Sequence, residues 1–112
     1  MNLSKTHNIR SLKSKNEIKD LLANGEKVFT KYGLIFYQNQ PATDYNAIAI
    51  LIKKRCGNAV KRNYIKRIIR SFIREYAEEL TAYNRMVFLY TYLGTVTYLD
   101  LKERYLKAIS KI

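Results

Sequence analysis

Tryptophan is absent from this chain, and cysteine, histidine and proline occur once each. A lone Cys56 excludes an intramolecular disulfide and a cysteine-rich zinc site. With His7 also alone, in a polar N-terminal segment, a Cys–His catalytic pair has little to stand on. Acidic residues are scarce too: nine Asp and Glu stand against 21 Lys and Arg, and only Glu78 and Glu79 adjoin, at the outer end of a helix where solvation explains them. No paired-carboxylate site of the kind a hydrolase needs is visible. Gly57 has no second glycine near it, so a glycine-rich phosphate loop is missing. No apolar run approaches the roughly 20 residues that span a bilayer. The N-terminal MNLSKTHNIR also lacks the apolar block of a signal peptide, so a cytoplasmic location without membrane association is expected.

What the chain does have is positive charge. Its formal net charge is +12 and its pI near 9.9, which point first to nucleic acid. With 112 residues, 47% of them apolar, it is long enough for a single domain with one modest core. Residues 1–13 are polar and basic and read as a flexible tail.

The charge concentrates in residues 53–74, KKRCGNAVKRNYIKRIIRSFIR, which hold nine Lys and Arg and no acid. If 59–76 is helical, roughly 100° per residue lines up Ile65, Ile68, Ile69, Phe72 and Tyr76 on one side. Asn63, Lys66, Arg67, Arg70 and Arg74 fall opposite, with Arg62 at the boundary. A solvated helix face usually interleaves Glu with Lys. This one does not, and its self-repulsion calls for a polyanion.

Around that helix the pattern predicts αβββαβα. Ser14 and Glu17 have capping-box spacing for a helix over 15–24 that ends at Gly25. Segments 27–30 and 31–38 read as extended, with a break near Gly33, and 39–44, which holds the proline, as a turn. Residues 47–53 form a central strand with Ile48, Ile50 and Ile52 on one face and Ala49 and Leu51 on the other, leading through Gly57 to Asn58 as N-cap of the basic helix. A turn near Asn84, a strand over 85–92, and a helix capped by Thr97 and Asp100 and running to about 109 complete the order. A strand, helix, strand unit implies a parallel pair inside a mixed sheet.

The run Lys53-Lys54-Arg55-Cys56-Gly57-Asn58-Ala59-Val60-Lys61-Arg62-Asn63-Tyr64-Ile65-Lys66-Arg67-Ile68-Ile69-Arg70 closely resembles the signature of the bacterial ribonuclease P protein subunit. The resemblance implies a compact α+β sandwich like the second domain of ribosomal protein S5, with a left-handed β-α-β crossover, against the general right-handed rule. It implies a protein, monomeric when alone, that joins a catalytic RNA to remove the 5′ leader of precursor tRNA. The chemistry would belong to the RNA and its Mg²⁺, and the protein would have no catalytic residues. By the same resemblance Arg62, Asn63, Lys66, Arg67 and Arg70 face the RNA subunit, and Arg74 continues that front. Lys53 and Lys54, with Asn58 beside them, belong to the leader cleft, and Phe36 to its floor. Ile18 and Leu22 stand where the family often presents two aromatics to the leader, and Tyr64 where it often has Arg. Two other readings share the electrostatics: a ribosomal-type RNA-binding protein without a processing role, and a DNA-binding domain. The second lacks the short preceding helix of a helix-turn-helix.

Overall fold

The computed structural model describes residues 2–4, 6–38 and 45–112. The turn expected at 39–44 lies outside the described residues. Six strands form one mixed sheet in the order β1-β2-β5-β6-β4-β3. They are β1 Asn2–Ser4, β2 Ile9–Ser11, β3 Glu26–Thr30, β4 Gly33–Gln38, β5 Asn46–Ile52 and β6 Arg85–Tyr90. Four helices pack on it: α1 Lys15–Asn24, α2 Ala59–Glu75, the single-turn α3 Ala77–Leu80, and α4 Tyr98–Ile109. β5 and β6 are parallel neighbours joined through α2, as the strand, helix, strand order requires.

Local chemistry sets the helix starts. Glu17, Lys61 and Asp100 donate their backbone N–H groups to the side-chain oxygens of Ser14, Asn58 and Thr97, three residues earlier in each case. The β3–β4 hairpin turns through Lys31 and Tyr32 into Gly33, whose φ of 142° and close approach to Leu89 exclude a side chain.

The sheet has a distinct core on each face. On one, Ile48, Phe88 and Ile35 meet Ile65, Ile69 and Phe72 of α2 and Leu101 and Tyr105 of α4. On the other, Ala47, Ala49, Val87 and Phe36 lie under Leu21 of α1. β5 alternates between the two, as its sequence predicts. Ile73 is also fully buried, so the apolar side of α2 is wider than the predicted stripe.

Among the first thirteen residues, the described ones hold two short strands where the sequence predicts a flexible tail. β1 and β2 pair with each other, and β2 runs parallel to β5. Leu3, Ile9 and Leu12 are buried. These three apolar residues are too widely spaced to show a period, but each fills the end of a core already built by the rest of the chain. The single-turn α3 was likewise absent from the predicted order, being too short for a helical repeat to register.

Candidate nucleic-acid interface

α2 is positioned by its buried side and offers the other. Asn63, Arg67 and Arg74 are exposed, and Arg62, Lys66 and Arg70 half-exposed. Asn63, Lys66, Arg67, Arg70 and Arg74 share one helix front, and Arg62 borders it beside the buried Ile73. Among the described residues the ion pairs are Lys31–Asp100, Arg85–Glu17, Lys102–Glu75 and Arg104–Asp100. None involves an α2 cation. The Nε atoms of Arg62 and Arg70 are shielded from solvent and carry no hydrogen bond. It is therefore their terminal nitrogens, not Nε, that can meet an acceptor outside the chain.

Glu75 at the end of α2 and Asp100 on α4 are both paired away from the α2 front. A hydrogen bond from the Tyr32 hydroxyl, aided by Lys31, holds Asp100 below the usual carboxylate range. Burial first, and then that carboxylate, push the Tyr32 phenol up. Glu75 is lowered by the Tyr98 hydroxyl and then by Lys102, while burial and Glu75 raise Tyr98 to about 12.

Lys61 belongs to the basic run but serves the fold. Its ammonium donates to the carbonyls of Leu93 at 3.3 Å and Gly94 at 3.4 Å, tying the loop before α4 to the start of α2. Its stem lies over Gly57, where an added Cβ would stand 2.5 Å from Lys61 Cδ and where φ is 150°. A short 3-10 turn, Lys54–Cys56, precedes that glycine and tucks Cys56 into the core. Lys53, Lys54 and Asn58 are exposed around this junction. The Asn58 side-chain oxygen is occupied as the cap, leaving its amide N–H groups.

On the α1 face, strand register builds a floor in two rows. Phe36, Val87 and Ala49 form the first, and α1 covers it. Phe36 is only 5% exposed, so it supports the floor rather than offering a ring to stack on. The second row, Phe29, Leu34, Leu89 and Leu51, lies beside it, with three half-buried leucines and Phe29 72% exposed at the β3 edge. Phe29 was not among the predicted site residues. Alternation places it on this face, but that becomes apparent only once β3 is known to be the sheet edge. Ile18 is half-buried, and it lines a recess with Ser11, Lys13, Leu51, Lys66 and Arg70 where β2 ends. Leu22 is 37% exposed. The recess brings Ile18 together with two α2 cations, whereas Leu22 and Lys54 do not line it.

Among the described residues no three His, Cys, Asp or Glu side chains come together as a metal site. Nor is any described helix long and apolar enough to cross a membrane.

An α+β sandwich with a helix front of unpaired cations defines a class first: a basic protein built to hold a polyanion. Comparison with known proteins narrows this. The family model for ribonuclease P matches residues 6–112. A ribonuclease P protein component from Phytoplasma australiense is 29% identical over 102 residues, 90% of this chain and 89% of the relative. Another from Syntrophus aciditrophicus is 36% identical over 74 residues, 66% of this chain and 59% of the relative. Among solved structures, the Staphylococcus aureus RNase P protein superposes with a TM-score of 0.79 at 21% identity, covering 91% of this chain and 93% of that one. The Thermotoga maritima protein gives 0.78 at 19%, covering 91% and 96%, and these two likenesses establish the shared fold. The chain belongs to the ribonuclease P protein family. Membership supports a role as a ribonuclease P protein component over that of a ribosomal-type binding protein without a processing role.

Proposed function

We propose that this chain holds the RNA subunit of ribonuclease P through the front of α2 and guides the 5′ leader of precursor tRNA along the α1 face. The observation that carries the reading is the set of α2 cations without a carboxylate partner. Arg62, Asn63, Lys66, Arg67, Arg70 and Arg74 are the residues assigned to the RNA subunit. Arg guanidinium groups suit phosphate because their donors form a planar fork. Single-stranded leader is assigned to Lys53, Lys54 and Asn58 at the start of the path. Ile18, Leu22 and the row from Leu51 to Phe29 give its bases an apolar surface, with Phe36 beneath.

Bond cleavage in this reading belongs to the RNA and to Mg²⁺ bound by RNA and substrate. The protein contributes binding energy and orientation, which lower the barrier by fixing the scissile phosphate. Cys56, buried and donating toward the Tyr90 carbonyl, is not offered as a nucleophile. The test is the affinity of the assembled protein–RNA complex for precursor tRNA against mature tRNA. The complex should prefer the precursor, and Lys53→Ala with Lys54→Ala should reduce that preference. Equal affinity for both tRNAs would refute leader binding.

A further inference from the structure

α4 treats its two flanks differently. On the side toward α2, Lys102 is paired with Glu75 at 3.2 Å. On the other side, Arg104, Lys107 and Lys111 follow one another at three- and four-residue spacing and line a groove of about 200 Å³ against Thr30 and Lys31 at the end of β3. Asp100 is shared between Lys31 at 3.0 Å and Arg104 at 3.6 Å. Lys107 and Lys111 have no ion pair among the described residues, although Glu103 lies one turn before Lys107. A helix C-terminus favours a cation in its last turn. That accounts for one lysine, not for four cations reaching across to a neighbouring strand.

We propose that the β3–α4 groove is a second contact for the phosphodiester backbone of the RNA subunit, separate from the front of α2. The ligand chemistry follows from charge: four cations against one shared carboxylate in an open groove fit a chain of phosphates. The occupant follows from position. α4 packs against α2 in the layer opposite α1, so an RNA lying on α2 can continue over α4, while the leader path runs on the far side of the sheet and meets the groove only at Phe29 on the β3 edge. The inference rests on the RNA-binding role proposed above.

The test is a salt titration of binding between the full-length protein and a ribonuclease P RNA. Lys107→Ala with Lys111→Ala should reduce the magnitude of the log–log salt slope by about 1.4 to 1.8, the share of two phosphate contacts. Lys107→Arg with Lys111→Arg should restore it. Arg67→Ala with Arg70→Ala is measured in parallel. If that variant lowers the slope while the α4 alanine pair leaves slope and affinity unchanged, the groove proposal is overturned and the α2 reading stands. If neither variant moves the slope, both fall. A loss seen with precursor tRNA alone, and not with the RNA subunit, also overturns the assignment.

Discussion

Replacing Arg67 and Arg70 of α2 by alanine separates binding from folding. Neither side chain has an ion pair among the described residues, and Arg67 is exposed. Arg70 covers part of the recess near Leu3 and Ile48, so its loss costs some packing. Arg and Ala have similar helix propensities, and the combined effect on stability should stay within about 1 kcal/mol. Binding should change far more. Five cations on the α2 front contribute a log–log salt slope of about −3.5 to −4.5 at roughly 0.7 to 0.9 released ions per contact, and removing two takes away about 1.4 to 1.8. Between about 50 and 200 mM salt, the affinity lost by the variant should therefore be about 7- to 12-fold smaller than that lost by the parent. Filter binding to labelled RNA subunit across that range measures it, with thermal unfolding as the control. An unchanged slope in a folded protein would refute the phosphate contacts, and a midpoint that falls steeply would show that these residues pack into the core.

Other expectations concern the fold, the floor and one exposed ring. Phe72→Ala should destabilise the protein by about 3 to 5 kcal/mol in denaturant unfolding, because Phe72 is fully buried among Phe88, Tyr76 and Tyr105. Tyr64→Ala, at a position 44% exposed, should leave the unfolding midpoint in place and weaken RNA binding by about 1 kcal/mol or more if the ring stacks on a base. Phe29→Ala should lower the affinity of the assembled complex for precursor tRNA and, because it removes no cation, leave the salt slope of RNA-subunit binding unchanged even though Phe29 borders the β3–α4 groove. Asp100, whose pKa is depressed by Tyr32 and Lys31, contributes stability that is present at neutral pH. That contribution should fade as pH falls past the ordinary aspartate value of about 3.9 and vanish below the lower folded value. Asp100→Asn should flatten that part of the acid unfolding curve.

How much of this was legible in the sequence depended on whether a feature was local. Ser14, Asn58 and Thr97 act on backbone groups three residues away, and all three caps appear where the sequence places them. The α2 front follows from one helical period, and the two faces of β5 from simple alternation. What escaped depends on residues far apart in the chain. Leu3 and Ile9 become core only because β2 docks beside β5. Phe36 disappears beneath α1, and Phe29 emerges, only once the β3–β4 register is fixed. In the sequence Lys61 is only one of the nine cations of the basic run, and its structural role appears once the loop at Leu93 and Gly94 closes over it. The groove beside α4 likewise needs Lys31 and Lys111 brought together across most of the chain.

In the proposed function this protein assists an RNA in removing precursor tRNA leaders. The most direct test of that role is cleavage of a precursor tRNA by a matched ribonuclease P RNA at low Mg²⁺, with and without the chain. The account predicts that adding the protein accelerates release of the 5′ leader, and that Arg67→Ala with Arg70→Ala removes much of the gain at physiological salt. A rate unchanged by the folded parent protein would contradict it.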